Sequence, residues 1–534
     1  MPCRALAGAL VLAAAVAAAE VGPVRSVLLI TADDLRPEVG PYGCSRIQTP
    51  NIDALAREGF TFTRAYAQIA LCAPSRNSFL SGRRPDATKA WQFRDHFREE
   101  GVGDGWTALP EAFRKAGFLT FGAGKVYHPG LPPNWDWPKS WSFDTSAEWL
   151  YPSEPRCPLN TSWCALEDER EVFEDRQTSS KALELLQSVG DGHFFLAVGF
   201  RKPHLLWRFP QRILDEHYIA SQAPLALRRV APISAPDVAF HMPFAELSGL
   251  VDFQDCGGAA AMSPSFAYPD ECQSKWRRAY AAATTFMDEQ VGFVLGALPA
   301  AEETVVVFLS DHGWHLGDQG EWEKFTNYEA ATRVPLIVRA PWLDKDWLGA
   351  SPAGTQPFRR IDALVQLLDL FPTLAALAGV DVSYTAEESV PLQGRDLSPL
   401  LRGADVPGGV ALSQFPRCCG GAEYDPDHVA NASAPLWYLN DCNDVPRTKF
   451  THMGYSVRTS RWRYTEWRQW DGLLLAATED IVAVELYDHL GDQGLCEGEQ
   501  AAFDYETENL AATAPPSLLA ELHETLASAF NLAK

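Results

Sequence analysis

The sequence predicts an α/β fold in which a large sheet is flanked by helices, followed by a small C-terminal α+β subdomain with an antiparallel sheet. Three short apolar runs predict the large sheet, because continuous rather than alternating hydrophobicity is typical of strands buried on both faces. Amphipathic segments between the runs, such as 180–189 and 286–298, predict the flanking helices. The apolar runs are 26–31, 194–200 and 304–310.

The composition fits a globular protein with more than one domain. The chain has 534 residues, of which 46% are hydrophobic and 21% charged, and this balance argues against disorder, collagen and coiled coils. Its 45 Lys and Arg residues stand against 69 Asp and Glu residues, giving a formal net charge of −24. Such a surface repels phosphate backbones, so we expect no nucleic-acid partner. A polyanionic substrate would need basic residues gathered at its site.

The first residues have the pattern of a secretory signal peptide, which we place at 1–19. Arg4 supplies a positive start, 5–19 is apolar, and the small residues Ala17 to Ala19 suit cleavage. The alternative is a retained anchor, but the run is short and rich in alanine, and no later run reaches about 20 apolar residues. We therefore expect a mature protein without a membrane span that has entered the secretory pathway.

Cysteine usage agrees with an oxidising compartment. The chain has 11 cysteines, and Cys3 leaves with the signal peptide. If one of the others is catalytic, an odd number remains and at least one is unpaired. Sequence proximity and spacing suggest disulfides and glycosylation sites. The pairs are Cys157 with Cys164, Cys256 with Cys272, and Cys418 or Cys419 with Cys442, and the sequons begin at Asn160 and Asn431.

Turn and helix signals divide the rest of the chain. We expect an N-terminal domain over 24–403, a Gly-, Pro- and Asp-rich loop over 404–447, and the C-terminal subdomain over 448–534. A proline-interrupted helix that ends at Gly379 lies near the end of the first domain. The predicted elements of this part are a helix over 362–379, alternating strands over 454–459 and 461–467, and a closing helix over 516–531.

Charged side chains follow each of the three apolar runs. Asp33 and Asp34 follow the first run, His204 follows the second, and Asp311 and His312 follow the third. Ligands of such sheets bind beyond the carboxyl ends of the strands, so these residues point to one site. Three carboxylates and one imidazole form a largely oxygen-rich set that suits Ca²⁺. Each acid alone is explained equally well by a helix cap or a solvated turn, but the set of four favours a metal site.

The sharpest motif is Cys72-Ala-Pro-Ser-Arg76, which continues into Leu-Ser-Gly-Arg at 80–83. Taken alone, this cysteine is explained by an ordinary buried or disulfide-bonded thiol. Its context changes that interpretation, because it follows one acidic strand end by about forty residues and precedes the Asp-His pair of another. The combination favours a functional cysteine.

Seven segments in a fixed order carry a resemblance to a known family. They are 31–37 (Thr-Ala-Asp-Asp-Leu-Arg-Pro), 72–76, 124–130 (Gly-Lys-Val-Tyr-His-Pro-Gly), 202–204 (Lys-Pro-His), 310–318 (Ser-Asp-His-Gly-Trp-His-Leu-Gly-Asp), 321–324 (Glu-Trp-Glu-Lys) and 453–459 (Met-Gly-Tyr-Ser-Val-Arg-Thr). On these segments the chain resembles the type I, formylglycine-dependent sulfatases, and most of all their iduronate-2-sulfatase branch. The segments span nearly the whole mature chain, which a chance motif would not.

The resemblance implies an alkaline-phosphatase-like sulfatase fold with a large mixed sheet, and a modified cysteine. Cys72 would be oxidised to formylglycine in the endoplasmic reticulum, which makes the formylglycine-generating enzyme a partner during maturation. One hydroxyl of the hydrated aldehyde would attack sulfur and displace the sugar alkoxide, and deprotonation of the other would expel sulfate. Ca²⁺ would be held by the residue at 72 and by four side chains. These are Asp33, Asp34, Asp311 and His312.

The resemblance also assigns roles to the basic residues. Arg76 and Lys125 would stabilise the oxyanion of the nucleophile, and the metal would lower the pKa of that nucleophile. Lys324 and His204 would bind sulfate oxygens, and one of them would protonate the leaving alkoxide. His128 is the candidate base for the elimination step. Without the resemblance, each would be interpreted as a surface or core residue.

Some residues depart from the branch or stay undecided. Arg201 stands where the branch more often has His, and Phe325 stands where it tends to have Tyr. Both neighbour the expected sugar pocket, and the stretch 205–275 resembles the family least. His315 is either a supporting or a structural residue. The tryptophans nearest the motifs, Trp91, Trp314 and Trp322, are candidates for the pocket, although tryptophans are more often core residues.

The sequence leaves several functions open. The leading hypothesis is a lysosomal or secreted exo-acting sulfatase that removes a 2-O-sulfate from a terminal uronic acid of a glycosaminoglycan-like chain. A second keeps the chemistry but changes the sulfated polysaccharide. A third is a phosphonate monoester or phosphodiester hydrolase, because related enzymes share the cysteine motif and the acidic metal site. The fourth is a non-catalytic glycan-binding protein in which Cys72 stays a thiol or forms a disulfide.

Overall fold

A computed structural model describes most of the chain after the predicted signal peptide. The segment 1–19, Cys3, Cys419 and the sequon at Asn431 lie outside the described residues, so these predictions stay untested. The described residues are 25–153, 155–168, 172–190, 192–218, 223–241, 246–258, 265–346, 358–404, 409–418, 442–443, 445–496 and 503–532.

Strands form one large and one small sheet, with two short pairs beside them. In the described residues the strands are β1 Ser26–Asp33, β2 Phe60–Tyr66, β3 Leu119–Gly124, β4 Trp163–Leu166, β5 Phe194–Pro203, β6 Trp207–Pro210, β7 Thr304–Ser310, β8 His315–Leu316, β9 Trp322–Glu323, β10 Arg333–Arg339, β11 Arg359–Gln366, β12 Ala411–Arg417, β13 His452–Arg458, β14 Trp462–Asp471 and β15 Ala476–Asp488.

The large sheet is mixed, as the family resemblance implied. Its strand order is β11-β2-β10-β7-β1-β5-β3. Strand β1 pairs in parallel with β5 on one side and with β7 on the other, whereas β10 runs antiparallel to β7 and β2. All eight residues of β1 are buried. The three apolar runs of the sequence are therefore neighbouring central strands, and their carboxyl ends meet at one edge of the sheet.

Helices pack on the large sheet in two groups, which confirms the predicted α/β sandwich. Helices α1, α5 and α8 contact one another, and α2, α4 and α10 form the second set. Among the described residues, no helix has both the length and the apolar character needed to cross a membrane. The helices are α1 Pro50–Glu58, α2 Cys72–Ser81, α3 Pro85–Thr88, α4 Leu109–Lys115, α5 Glu174–Ser188, α6 Gln211–His217, α7 Val251–Asp255, α8 Asp270–Gly296, α9 Glu329–Thr332, α10 Leu370–Ala378, α11 Ser398–Leu401 and α12 Pro516–Phe530.

The helix predicted over 362–379 is wrong in its first part. Residues up to Gln366 belong to β11, which pairs in parallel with β2 at the edge of the sheet. A 3-10 turn over Leu367–Asp369 leads into α10, and Gly379 follows α10 in the left-handed conformation, as the sequence indicated. Pro372 lies in the first helical turn, where its missing amide hydrogen costs nothing, so the proline marks the start of the helix and not an interruption.

The small C-terminal sheet has the antiparallel order β12-β13-β14-β15, and α12 packs on β13. The two predicted strands and the closing helix are confirmed, with strands longer than expected. The first strand of this sheet, β12, comes from the segment 404–447 that was expected to be a loop. Its alternating pattern is short and ends in Pro416, which hid the strand from the sequence analysis.

Four disulfides occur in the described residues, three of them as predicted. Cys157 pairs with Cys164, Cys256 with Cys272, and Cys418 with Cys442. The fourth joins Cys44, after β1, to Cys496 of the C-terminal subdomain, across a sequence separation of 452 residues. Cys72 is free and buried.

Buried charges also connect the α/β domain to the C-terminal subdomain. Glu329 accepts hydrogen bonds from Tyr66 and Arg458, at 3.0 and 2.6 Å. Arg458 also donates to Asp492, at 2.9 Å. Seven residues, here named the interface cluster, share these contacts: Glu329, Arg333, Arg458, Arg463, His489, Asp492 and Glu506. All seven are buried.

Candidate active site

Acidic residues from two strands meet at the carboxyl edge of the large sheet, as predicted. Asp33 ends β1 and Asp311 follows β7 directly, and the two strands are parallel neighbours. Asp34 has a φ of 64°, a left-handed conformation that turns the chain sharply after the strand. Its amide donates to Asp311 Oδ1 at 3.3 Å. The three carboxylates are fully buried in one place.

Cys72 is the first residue of α2 and points its sulfur at these acids. Its thiol donates to Asp33 Oδ1 at 3.4 Å, and its sulfur lies 3.3 Å from His312 Nε2. Burial, together with the charge of Asp33, raises the pKa of the Cys72 thiol to about 12. An unmodified thiol here is therefore protonated near neutral pH and is a poor nucleophile.

The donor set fits a hard divalent cation. One ligand atom from each of Asp33, Cys72, Asp311 and His312 lies within 4.8 Å of all the others, and a second such group joins Asp33 and Asp34 to His204. Three of these six residues are aspartates, and carboxylate oxygens are the ligand type that Ca²⁺ prefers. Side-chain atom Asp33 Oδ2 is buried without a hydrogen-bond partner, although it faces Lys125 across an ion pair.

Three buried cations surround the acids. Arg76, one turn along α2 from Cys72, donates through Nε to Asp311 Oδ2 at 2.8 Å. Lys125 follows β3 and pairs with Asp33. From the opposite side, Lys324 Nζ donates to Asp34 Oδ1 at 2.9 Å. We name as the site cluster these six charged residues with Cys72 and His312: Asp33, Asp34, Cys72, Arg76, Lys125, Asp311, His312 and Lys324.

The two neighbouring aspartates have opposite pKa shifts. Burial would raise the pKa of Asp33, but Lys125 and the other cations around it hold that pKa well below the usual range. For Asp34, burial prevails over the attraction of Lys324, and the adjacent Asp33 adds repulsion, so its pKa is raised. Asp33 is thus readily ionised, whereas the adjacent Asp34 is costly to ionise. This combination further favours a site for a multivalent cation.

Two predicted histidines lie at the rim. His204 Nε2 is 3.9 Å from Asp34 Oδ2, and 15% of its side chain is exposed. His128 follows Lys125 by three residues, and its ring packs 4.8 Å from that of Phe93. Burial, with repulsion from Lys125, lowers the pKa of His128 to about 3, so its imidazole is neutral. Its buried Nδ1 has no hydrogen-bond partner in the described part of the chain.

The sequence analysis missed Glu246. Its Oε1 lies 2.9 Å from Lys324 Nζ and 3.8 Å from His204 Nε2, so it completes the rim between these two residues. Glu246 belongs to the stretch 205–275, which carries no recognisable motif. A lone glutamate in such a stretch gives no sequence signal.

Tyr280, on α8, was also missed and fixes the backbone of the site. Its hydroxyl donates to the carbonyl oxygen of Asp34 at 2.7 Å and accepts from the amide of Arg36 at 3.0 Å. The side chain of Arg36 is held in turn by Asp318. Because Tyr280 is almost 250 residues away in the sequence, only the fold reveals this support.

Most of the residues whose roles the sequence left undecided are buried and pack behind the site. His315 is fully buried, shares a 2.8 Å hydrogen bond with Thr326, and has a pKa lowered to about 4 by burial. Phe325 packs against His241 and Phe415 in the interior, so its ring does not line an open sugar pocket. The three candidate tryptophans, Trp91, Trp314 and Trp322, are likewise buried in the core. Trp314 alone approaches the site, 5.0 Å from Lys324 Nζ.

Comparisons with known proteins agree on one family. The profile of the family described as "Sulfatase" matches residues 25–380, more than half of the chain. Iduronate 2-sulfatase of Mus musculus is 34% identical over 521 residues, covering 86% of this chain and 88% of that protein.

Solved structures share the fold at lower identity. The phosphonate monoester hydrolase of Silicibacter pomeroyi has a TM-score of 0.65 and 19% identity, and covers 95% of this chain and 94% of its own. A structure described as a 2-O GAG sulfatase has a TM-score of 0.58 and 22% identity, with coverage of 95% and 92%. At these identities the likeness concerns the fold.

Proposed function

The chain belongs to the sulfatase family, and from this premise we propose that it removes a 2-O-sulfate from a terminal uronic acid of a glycosaminoglycan-like chain. The observation that carries the proposal is the site cluster, in which acids, cations and Cys72 meet within hydrogen-bond distance at one strand edge. The identity to a mouse iduronate 2-sulfatase over most of both chains supports the choice of sugar.

Two groups would complete the site. Ca²⁺, held by Asp33, Asp34, Asp311 and His312 with the residue at 72, would polarise the sulfate and lower the pKa of the nucleophile. Formylglycine made from Cys72 would, after adding water to its aldehyde, supply two hydroxyls on one carbon, one to attack sulfur and one whose deprotonation releases sulfate. The high pKa of the unmodified thiol supports the need for this conversion.

The basic residues would bind and stabilise charge. Arg76 and Lys125 lie on the side of Cys72 and would stabilise the oxyanion of the nucleophile. Lys324 and His204 face them across the acids and would hold the sulfate oxygens. The protein as a whole carries a charge of −24, but in the site the three buried cations balance the three aspartates, so bound Ca²⁺ would make the site attractive to an anion.

Side chains at the rim of the site would carry out proton transfer. Either Lys324 or His204 would give a proton to the leaving alkoxide, since Lys324 Nζ lies 2.9 Å and His204 Nε2 3.9 Å from Asp34. His128 Nδ1 has no hydrogen-bond partner within the described residues, and we propose His128 as the group that would accept the proton removed in the elimination step. We propose these roles for residues within a catalytic domain over 24–403, to which the subdomain over 448–534 is joined.

We also propose a secretory route, ending in the lysosome or outside the cell. The signal-peptide pattern of 1–19 and the disulfides support it, because disulfides persist in oxidising compartments. The formylglycine-generating enzyme would act on the chain along this route.

The test is sulfate release from a disaccharide that ends in 2-sulfated iduronate. A disaccharide ending in 2-sulfated glucuronate, an aryl sulfate and a phosphodiester serve as comparison substrates. The protein should carry formylglycine at 72, shown by peptide mapping, and the Cys72→Ala variant is the control. We expect the iduronate substrate to be hydrolysed fastest.

Each other outcome selects a different function. Turnover of the aryl sulfate alone would keep the sulfatase chemistry and reject the uronate substrate. Faster cleavage of the phosphodiester would indicate a phosphodiester or phosphonate hydrolase. No turnover at all, with Cys72 unmodified in a host able to convert it, would leave a glycan-binding protein.

A further inference from the structure

Glu246 stands between the two groups that face the leaving oxygen of the substrate. Its Oε1 is 2.9 Å from Lys324 Nζ and 3.8 Å from His204 Nε2. Its other oxygen, Oε2, is buried and has no hydrogen-bond partner in the described residues. The side chain is nevertheless 21% exposed, so Glu246 forms part of the wall of the opening.

The position of Glu246 is fixed by the residue that precedes Lys324. Glu323, the last residue of β9, accepts hydrogen bonds from the backbone amides of Glu246 and Leu247, at 2.9 and 2.6 Å. Leu247 is fully buried in the same apolar cluster as Trp322. Because Glu323, which holds the backbone of Glu246, is the chain neighbour of Lys324, the positions of Glu246 and Lys324 are coupled.

An unpartnered buried carboxylate oxygen is costly unless a ligand donates to it. A sugar hydroxyl can do so, whereas a carboxylate or a sulfate ester at that place would be repelled. Lys324 and His204 are the groups proposed to contact the leaving oxygen. Glu246 touches both, so the substrate group nearest to it is the one on the neighbouring ring carbon.

We propose that Glu246 is a specificity-determining residue that accepts a hydrogen bond from the free hydroxyl next to the sulfated carbon. It thereby selects sugars with a single sulfate at this pair of carbons and rejects vicinal disulfates. For a uronic acid sulfated at carbon 2, the hydroxyl is that of carbon 3, since carbon 1 carries the glycosidic bond. This inference rests on the proposed function for the orientation of the sugar.

Binding to the Cys72→Ala variant tests the inference without turnover. The probes are methyl iduronoside 2-sulfate, its 3-O-methyl ether and its 2,3-disulfate, with Kd measured by calorimetry in the presence of Ca²⁺. We expect the ether and the disulfate each to bind about 10- to 100-fold more weakly than the 2-sulfate, the range of a hydrogen bond to a charged group.

Two substitutions in the Cys72→Ala background separate the roles of Glu246. In Glu246→Ala we expect the Kd of the ether to be within about threefold of the Kd of the 2-sulfate, because the hydrogen-bond acceptor is gone. Glu246→Gln keeps the size but removes the charge, and should relieve mainly the penalty on the disulfate. Glu289→Gln is the matched control, because Glu289 lies on α8 and forms an ion pair with Arg212, which belongs to neither the site cluster nor the rim.

The outcomes of the two proposals are distinguishable. Binding ratios that are the same with and without Glu246 would overturn the present inference, even if the loaded enzyme releases sulfate. If the loaded enzyme releases none but the binding ratios depend on Glu246 as described, the proposed hydrolysis is wrong and the recognition of the hydroxyl stands. Should Glu246→Ala fail to fold, the disulfate ratio of Glu246→Gln decides alone.

Discussion

The site cluster and the interface cluster are both buried and both mix acids with cations, but their charges are paired differently. In the interface cluster arginines contact every carboxylate, and both Arg458 and Arg333 join Glu329 to Asp492. The site cluster instead places Asp33 and Asp34 side by side at one strand end and pairs them with lysines. Its rim is open to solvent, whereas no member of the interface cluster is exposed.

The pKa shifts express this difference. At the interface, burial would raise the pKa values of Glu329 and Asp492, but the surrounding arginines and His489 hold both well below the usual range. In the site, the pKa of Asp33 is lowered and that of Asp34 is raised. Arginine forks fix an acid in one geometry, whereas a lysine is a point charge that can exchange partners. The arginines of the interface fix its acids as part of the fold, whereas adjacent aspartates beside lysines can hold a metal and an anion.

Cys72→Ala should give the largest contrast between a loss of activity and an unchanged stability. We expect sulfate release to fall by at least about 10³-fold, because the nucleophile is removed, while the fold stays intact. Sulfate release and the thermal unfolding midpoint are measured on the same preparation. Activity that survives the substitution would contradict the assignment of the nucleophile.

Asp→Asn substitutions in the two clusters should have different consequences. In Asp311→Asn we expect sulfate release to fall by at least about 10²-fold and the Ca²⁺ concentration for half-maximal activity to rise, because a ligand is weakened. The matched variant, Asp492→Asn, should lose stability and keep the calcium requirement of the wild type. Equal calcium titrations for wild type and Asp311→Asn would argue against the metal site.

Glu329→Gln should affect stability more than activity. The carboxylate is shared by Arg458 and Arg463 and accepts from Tyr66, so its loss leaves buried cations without their partner. We expect the free energy of unfolding to fall by about 3–5 kcal/mol. Denaturant titration measures the loss, and sulfate release per folded molecule is the control. A loss of activity without a loss of stability would mean that the two clusters are not separate.

The smallest expected effect is the loss of stability contributed by Glu329 at acidic pH. Because the folded-state pKa of Glu329 is lowered, its stabilising contribution is present above the ordinary glutamic acid pKa of about 4.3 and is lost as the pH falls below it. The gap in unfolding free energy between wild type and Glu329→Gln should therefore be constant from pH 7 to about pH 5 and narrow below pH 4. A gap that widens in acid would reverse the sign assigned to this group.

Much of the fold and of the site geometry could be predicted, because strand ends and motifs are local in sequence. The apolar runs placed Asp33, Asp311 and His204 at one sheet edge, and the structure brings these residues together. The edge strand β11 was mistaken for helix, since its half-buried residues run directly into α10. Glu246 could not be found, because the backbone hydrogen bonds to Glu323 that hold it come from tertiary contacts.

The Cys44–Cys496 disulfide makes nearly the whole described chain a covalent ring. The bond spans 452 residues, so most exposed loops lie inside the ring and only short tails lie outside it. A single protease cut in such a loop would leave both fragments attached until the bond is reduced. The cut molecule would migrate as one species on a non-reducing gel and as two after reduction. Until reduction its active site would stay assembled, because the disulfide also keeps the N-terminal segment that carries Asp33 and Asp34 attached to the rest of the chain.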